Sequence, residues 1–379
     1  MPTRKIIVPL AGYYACYFAG LGVWINLGQE SWSIGLLTAV AMWIKVLGAP
    51  LWGRWADQGS RHWVTVITSF ATCAVFALFF TGTGFSFLLT VTLLFSFFHA
   101  GPLALVEVTT LETIAKHGGD YGRIRLWGSI GFILLAMGMG PLVDRFGWQL
   151  VPIFLFFLFF IAGFISLLLP NMASMQKREK GSGGGMRTLL RRPGVGWFYL
   201  STLLMQFSHG TYYGFFSLHL HNHGFSGTSI GLLWALGVVS EVVFLYYSRF
   251  LLGHFGVAWV LSLSFALAGL RWGLYAVTLW WPVLIFGQML HAFTFGSFHV
   301  AAVRRTFAMA TLHTRASAQA WYAAFSFGIG GGFGQVISGF FMDTLGAKML
   351  FGLMAAVAGL GWLACQRASQ KLQGVEKEL

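Results

Sequence analysis

Charge is scarce in this sequence of 379 residues. Lys, Arg, Asp and Glu together make up 9% of it, whereas hydrophobic residues make up 57%. A soluble domain carries about 25% charged residues, so this composition cannot cover a fold of this size with a polar surface. The low charge therefore excludes a soluble fold and indicates a chain whose solvent is lipid.

Cysteine is also rare, and its distribution excludes two common kinds of site. Cys16, Cys73 and Cys365 each lie inside an apolar stretch, without the spacing of a disulfide framework or of a metal site. The sequence also has no P-loop, HExxH or CxxC pattern. We therefore predict that the protein uses no metal and no cofactor, drives no ATP-dependent step, and is not an enzyme.

What the sequence does contain is a series of long apolar runs. Twelve of them reach the roughly 20 residues that a helix needs to cross a bilayer. They are continuous rather than alternating, which favours helices over a barrel. We call them segments 1 to 12, and they cover 6–27, 32–53, 62–82, 86–112, 124–145, 147–169, 195–218, 228–250, 257–278, 281–303, 317–342 and 347–366.

The positive charges are unevenly distributed between the connections. With the N-terminus inside, almost every Lys and Arg falls in a cytoplasmic loop or tail, and only Arg145 and Lys348 fall in outside loops. This is the positive-inside pattern. The formal net charge of +13 thus reports orientation and not a nucleic-acid partner. We predict a monomeric, multi-pass protein of the bacterial inner membrane, surrounded by the lipid bilayer, with both termini cytoplasmic.

Two pairs of short repeats show that the chain has two related halves. Ser-Ile-Gly-Leu-Leu occurs at 33–37 and again at 229–233. Gly-Pro-Leu-Val-Asp at 140–144 is echoed by Gly-Phe-Phe-Met-Asp at 339–343, at nearly the same offset. Repeats of this kind build transporters whose site lies at the interface between the halves.

A polar, glycine-rich stretch separates these halves. We predict an all-α membrane protein with a six-helix bundle over 1–170, a cytoplasmic linker over 171–194 and a second six-helix bundle over 195–379. The two bundles are expected to be pseudo-symmetric.

A family resemblance appears between segments 2 and 3. Residues 53–61 read Gly-Arg-Trp-Ala-Asp-Gln-Gly-Ser-Arg, which resembles the Gly-x-x-x-Asp-x-x-Gly-Arg loop signature of the major facilitator superfamily, with Ser60 displacing the Arg by one place. Together with twelve segments, two halves and a central linker, this resemblance implies the major facilitator fold.

A narrower resemblance is to proton symporters of the lactose permease type. Tyr-Gly-Arg-Ile-Arg-Leu-Trp-Gly-Ser at 121–129 is similar to the region between their segments 4 and 5. The resemblance implies that Glu107 and Arg125 bind substrate. A planar Arg donor fork suits a carboxylate, and the alternative is a salt bridge that ties the two segments together.

The same resemblance extends to the second half. It implies that Arg271 and His291 take part in proton coupling, and Glu241 matches the acid of segment 8. The sequence departs from this type at Thr294, where a carboxylate is expected, and at Gln288, where a Lys is expected. These departures imply a cargo other than lactose and a modified proton route.

Over nearly its whole length the chain also resembles the bacterial 3-phenylpropionate transporter family. The similarity is carried by His-Gly-Thr-Tyr-Tyr-Gly-Phe at 209–215, by Leu-Gly-Val-Val-Ser-Glu-Val at 236–242, and by a basic residue at Lys45. A charge in mid-membrane costs roughly 2.5–3.5 kcal/mol, so Lys45 needs a partner. We predict a substrate carboxylate, and the alternative is a structural ion pair with Glu241.

Glu241, Arg271 and His291 form the predicted proton site. A carboxylate in an apolar cavity holds its proton more tightly than in water, so Glu241 suits proton exchange. Arg271 and His291 would promote its release in one conformation. The alternative is a static polar network that locks the second half. His99 and His299 are predicted to be helix contacts.

Aromatic side chains make up 17% of the chain and supply candidate walls for a substrate. Tyr13 and Tyr17 share one face of segment 1, Tyr213 lies on segment 7, and Trp127 follows Arg125. Aromatic walls and cationic anchors suit an aryl carboxylate, whereas the alternative for each ring is ordinary packing. Glycines of segment 5 and of 328–334 are predicted to be sliding surfaces between the halves.

These features predict a proton-coupled symporter that imports a small organic acid, in particular an aromatic monocarboxylate, by alternating access. Its partners would be that small molecule and the proton. A first alternative is a proton symporter for a neutral sugar or nucleoside, which the Glu107–Arg125 pair fits equally well. A second alternative is a drug–proton antiporter, which the excess of cations disfavours.

Overall fold

The computed structural model describes residues 2–19, 30–118, 121–171, 189–310 and 315–372, and the described backbone is helical apart from short connections. The α-helices are Pro2–Ala19, Ser31–Gln58, Arg61–Ala77, Phe85–His117, Tyr121–Phe146, Leu150–Leu167, Val195–Ser208, Gly210–Asn222, Gly227–Phe255, Val257–Val277, Trp281–Met289, Phe298–Met309, Arg315–Ala323 and Gly332–Leu372. A 3₁₀ turn covers Leu78–Phe80, and π-helical turns cover Ala292–Ser297 and Ala324–Gly331.

These helices support the predicted all-α membrane fold. Within the described residues, nine helical stretches are long and apolar enough to cross a membrane. The last of them, Ala318–Leu372, contains segments 11 and 12, because Gly346 adopts a φ of 72° and turns the chain between them. Segment 7 consists of two helices that meet at His209. The described helices are thus consistent with twelve spans.

The connection between segments 2 and 3 is shorter than predicted. The helix Ser31–Gln58 includes most of the signature at 53–61, so the predicted loop was wrong for residues 53–58. The turn consists of Gly59 and Ser60, and the Ser60 hydroxyl accepts a hydrogen bond from the Trp63 backbone N–H at 3.4 Å. This N-cap bond starts the next helix.

The chain forms two compact units by internal contacts. Unit 1 comprises the described residues within 1–29, 40–177 and 221–235, and unit 2 comprises the remainder. Each unit is mainly one half of the sequence. However, the first turns of segment 2 belong to unit 2, and the first turns of segment 8 belong to unit 1.

The sequence repeats explain why these first turns belong to the unit of the opposite half. In each unit, the repeat that ends in Asp contacts the helix start that precedes a Ser-Ile-Gly-Leu-Leu repeat of the other half. In unit 1, Asp144 accepts hydrogen bonds from the backbone N–H groups of Gly227 and Thr228 at 2.6 and 2.9 Å, and from the Thr228 hydroxyl at 2.6 Å. In unit 2, the Ser31 hydroxyl donates to Asp343 at 2.7 Å. We call these two contacts the aspartate clasps.

Glycines allow the backbones at both clasps to approach closely. A Cβ placed on Gly140 would lie 2.6 Å from the Cα of Thr228, and one on Gly339 would lie 2.6 Å from the carbonyl oxygen of Ser31. Any larger residue would push the helices apart. Both glycines come from the repeats, which explains why Gly and Asp recur together there.

Other glycines of segments 5 and 11 pack within a unit. A Cβ on Gly131 would overlap Ala15 of segment 1, and Cβ atoms on Gly330 and Gly334 would overlap the backbone of Leu203 and Phe207 in segment 7. Small residues of this kind bring membrane helices close together. The prediction that they are sliding surfaces between the halves was therefore wrong for these three positions.

Candidate functional site

The centre of the second half is a buried cation, Arg271. It lies on the helix Val257–Val277, with 0% of its surface exposed. Its guanidinium carbon lies 4.2 Å from the ring centroid of Tyr212, 4.6 Å from that of Trp272 and 5.7 Å from that of Tyr275. Such cation–π contacts gain strength when they are removed from water. Three rings therefore hold a charge that would otherwise be costly at this depth.

Neutral polar groups complete the surroundings of Arg271. Its Nη2 donates to Gln288 Oε1 at 3.3 Å, and its Nη1 donates to Thr294 Oγ1 at 3.2 Å. The Tyr212 hydroxyl donates to the same Gln288 oxygen at 2.8 Å. In the part of the chain that the structure describes, Arg271 makes no salt bridge. Its positive charge is thus held without a direct carboxylate neighbour.

His291 links Arg271 to the carboxylate of Glu241. The Nδ1 atom of His291 lies 3.1 Å from Arg271 Nη1. Because a guanidinium has no acceptor, Nδ1 must accept this hydrogen bond and carries no proton. In the neutral ring the proton is then on Nε2, which lies 3.9 Å from Glu241 Oε2. That distance exceeds a direct hydrogen bond.

The backbone after His291 brings Glu241 close. The π-helical turn Ala292–Ser297 begins there, and a Cβ on Gly296 would lie 3.0 Å from Glu241 Cγ. The absence of a side chain at Gly296 lets segment 8 approach segment 10. The Glu241 side chain is 22% exposed, whereas that of His291 is 6% exposed. The carboxylate therefore lies at the accessible end of a buried network.

The resemblance to the lactose permease type indicated Arg271, His291 and Glu241, and the structure brings all three together in unit 2. It missed the roles of Gln288 and Thr294. They were recognised only as departures from that pattern, yet both accept hydrogen bonds from Arg271. The signal was their position, because a polar side chain in an apolar segment needs a partner.

The first half contains the other predicted ionisable residues. Lys45 is half-buried in the helix Ser31–Gln58. One turn further, Gly48 packs on Phe97 and Ala100, and a Cβ placed on Gly48 would lie 3.2 Å from the Ala100 Cβ. This contact brings Lys45 beside His99, whose electrostatic environment includes the Lys45 charge. Sequence reasoning treated His99 as a helix contact and did not pair it with Lys45.

The structure gives the remaining predicted substrate residues unequal support. Tyr13 is buried in the core of unit 1, and its hydroxyl lies 2.8 Å from Ser69 Oγ, which favours the packing alternative. Trp127 is 49% exposed and Tyr213 is half-buried. The side chains of Tyr17 and Arg125 lie outside the described residues.

Glu107 is half-buried on the helix Phe85–His117. Its predicted pairing with Arg125 likewise lies outside what the structure describes. A nearby acid, Glu112, forms a salt bridge with Arg61 at 2.6 Å. This ion pair joins the start of segment 3 to segment 4, which indicates a structural role for Glu112.

The described helices and the buried ionisable network are those of a multi-pass membrane protein. A comparison of the sequence with protein-family models matches residues 9–353 to the MFS_1 like family. The chain therefore belongs to this family of the major facilitator superfamily.

Two curated relatives and a solved structure agree. The chain is 29% identical to the probable 3-phenylpropionic acid transporter of Escherichia coli (strain K12), over 92% of this chain and 93% of that protein. It is 24% identical to the maltose permease of Geobacillus stearothermophilus, over 99% and 98%. The crystal structure of the nucleoside transporter NupG matches with a TM-score of 0.84 at 18% identity, over 96% and 98%. These relatives are transporters and not enzymes, and the chain is a multi-pass membrane transporter.

Proposed function

We propose that this transporter is a proton-coupled symporter that imports a small aromatic monocarboxylate by alternating access across the bacterial inner membrane. The observation that carries the proposal is the buried chain Glu241–His291–Arg271. The relative whose name includes 3-phenylpropionic acid supports the class of cargo.

Proton coupling follows from the chemistry of the network. Arg271 keeps its charge at all accessible pH values. The lone pair of His291 Nδ1 is occupied by the Arg271 hydrogen bond, so His291 serves as a neutral hydrogen-bonding link and not as a proton carrier. Glu241 is then the group of the network that gains and loses a proton. A carboxylate in an apolar site favours its neutral form, and approach of the imidazole N–H stabilises the charged form.

The substrate carboxylate would be held in the first half. Lys45 supplies a cation at mid-membrane depth, beside His99. Arg125 and Glu107 are proposed to take part in the same recognition. Trp127 and Tyr213 are proposed as aromatic contacts.

The proposed architecture completes this mechanism. Bundles over 1–170 and 195–379 would rock about a central site, joined by the linker over 171–194, with both termini cytoplasmic and a monomeric transport unit. Internal repeats support such rocking because each bundle can move as a rigid body.

A proton symporter for a neutral sugar or nucleoside is the second candidate. Similarity to maltose permease over nearly the whole chain favours it. In that case the neutral donors and acceptors around Arg271, including Gln288 and Thr294, would contact cargo hydroxyls.

Purified protein in liposomes tests the class of cargo. Uptake of radiolabelled 3-phenylpropionate, maltose and uridine is measured with an inward proton gradient, and protein-free liposomes measure passive entry of the acid. The proposal predicts gradient-driven, protein-dependent accumulation of 3-phenylpropionate. Accumulation of maltose or uridine in its place would establish the second candidate.

A further inference from the structure

Segments 10 and 11 share a short motif that the proton network does not explain. Ala-Phe-(Thr/Ser)-Phe-Gly occurs at 292–296 and at 324–328. Both copies form π-helical turns, Ala292–Ser297 and Ala324–Gly331. Such turns are rare and are found frequently at functional sites. Two neighbouring helices with the same irregularity therefore indicate a shared role.

The second Phe of each copy joins one group of rings. Phe295 and Phe327 meet with ring centroids 6.3 Å apart and planes inclined at 68°. Phe295 stacks between His291, at 5.3 Å, and His299, at 6.3 Å. The Tyr213 ring lies at 80° to Phe295, 6.3 Å away. We call these five side chains the ring cluster.

The first Phe of each copy lies elsewhere. Phe293 contacts the Phe244 ring of segment 8 at 5.3 Å, and Phe325 contacts Tyr199 at 5.7 Å. Neither has a ring contact with Phe295 among those that the structure describes. The motif thus provides two phenylalanines of different role within the same turn of helix.

The ring cluster faces away from lipid. His291, Phe295 and His299 follow one another at four-residue spacing, along one face of segment 10. Met289, which is 50% exposed, is two residues from His291 and therefore about 200° around the helix. The half-buried His299 lies 3.0 Å from the Tyr322 hydroxyl through its Nδ1. Because a histidine in a membrane helix turns toward protein or a watery cavity, this face is turned away from lipid.

We propose that the ring cluster binds the aryl group of the transported carboxylate, which rests on the proposed function. The rings of Phe327 and Tyr213 meet Phe295 at steep angles, and a transported aryl ring would extend the cluster by the same edge-to-face contact. His299 and Tyr322 place a polar boundary at one end. The cluster thus selects a flat, apolar ring.

This subsite also connects cargo to the proton. His291 belongs both to the ring cluster and to the network of Glu241 and Arg271. An aryl ring that binds beside Phe295 would contact the stacked rings of Phe295 and His291, and this stack orients the His291 imidazole. The ring orientation sets the distance between Nε2 and Glu241, so cargo binding changes how firmly Glu241 holds its proton.

The paired phenylalanines supply matched controls. Phe295→Leu and Phe327→Leu are compared with Phe293→Leu and Phe325→Leu. Exchange of external for internal 3-phenylpropionate is measured in liposomes at equal pH on both sides, and the half-saturating concentration is determined. Loss of an aromatic pair contact predicts a rise of about 3- to 10-fold for Phe295→Leu and Phe327→Leu, with little change for the two controls. Phe295→Tyr keeps a ring and is expected to stay near wild type.

The possible failures are distinguishable. If wild-type protein exchanges no 3-phenylpropionate, the proposed cargo is overturned and this subsite with it. If wild type exchanges it but Phe295→Leu and Phe293→Leu behave alike, the subsite is overturned and the proposed function stands. A Phe295→Tyr variant as weak as Phe295→Leu would also overturn the subsite, since it shows that the position and not the ring matters.

Discussion

At the scale of single residues, the chemistry of the second half depends on how the buried charge of Arg271 is stabilised. Three rings and three neutral polar groups surround it. Gln288 and Thr294 replace charged residues of the lactose permease pattern, and their oxygens both face the guanidinium. Under the proposed mechanism, Glu241 can therefore gain a proton without leaving a second carboxylate unbalanced beside Arg271.

Thr294→Val tests whether the polar groups around Arg271 stabilise its buried charge. Valine has nearly the same shape but no hydroxyl, so a buried guanidinium donor loses its acceptor, at a cost of about 1–3 kcal/mol. We expect a clear loss of thermal stability in detergent. Thr306→Val is the control, because among the described residues that buried hydroxyl bonds to the Ala302 carbonyl of its own helix, at 2.8 Å, and to no charged group. Equal stability losses in the two variants would contradict the role of Thr294.

Lys45→Met tests charge recognition in the first half. A charge-assisted hydrogen bond to substrate is worth about 1.5–3 kcal/mol, which corresponds to roughly 10- to 100-fold in affinity. We expect Lys45→Met to weaken binding of 3-phenylpropionate by this factor and binding of 3-phenylpropanamide much less, as measured by calorimetry.

The structural alternative for Lys45 predicts a different result. If Lys45 only balanced Glu241, its removal would weaken both ligands equally and reduce the amount of folded protein in the membrane. Glu241→Gln would then partly restore the lost protein. This combination would rule out a substrate role for Lys45.

At the scale of helices, the two aspartate clasps connect the sequence repeats to movement. Asp144 accepts from the first N–H groups of the helix Gly227–Phe255, where an acid also interacts favourably with the helix dipole. Asp343 accepts from Ser31, at the start of the helix Ser31–Gln58. A conformation that separates either pair of helix ends must break the contact between them.

Asp144→Ala and Asp343→Ala therefore shift the conformational equilibrium. Loss of an N-cap contact such as that of Asp144 costs about 0.5–2 kcal/mol, so a conformation without this clasp gains roughly 2- to 30-fold in relative population. The thiol of a Ser226→Cys variant, beside the Asp144 clasp, should react faster with a membrane-impermeant maleimide when Asp144→Ala is added. An unchanged reaction rate would show that the Asp144 clasp does not hold segment 5 against the start of the helix Gly227–Phe255.

Much of the helical pattern is readable from the sequence, because long apolar runs determine which stretches cross the membrane. The irregular points are not. His209 separates two helices of segment 7, and the π-helical turns interrupt segments 10 and 11, although the local sequence is apolar on both sides of each break. The ring cluster was missed for a related reason: with 38 Phe in the chain, no spacing distinguishes Phe295 from the rings that pack or face lipid.

At the scale of the whole molecule, membership of the MFS_1 like family and the buried network are both consistent with a transporter. Acids are rare in this chain, with 11 Asp and Glu in the sequence. Because an acid within a membrane segment is costly, its presence there indicates a functional role. In the described structure Glu241 is an acid of this kind, and its carboxylate lies 3.9 Å from His291 Nε2.

Glu241→Gln tests this central claim most directly. Wild-type protein and the variant are compared in liposomes for two activities: accumulation of 3-phenylpropionate driven by an inward proton gradient, and exchange at equal pH. Glu30→Gln, which changes an exposed acid, is the control. Because Gln keeps the shape of Glu but cannot release a proton, we predict that the variant loses accumulation and retains exchange. Accumulation at the wild-type level in Glu241→Gln would show that the coupling proton is carried elsewhere.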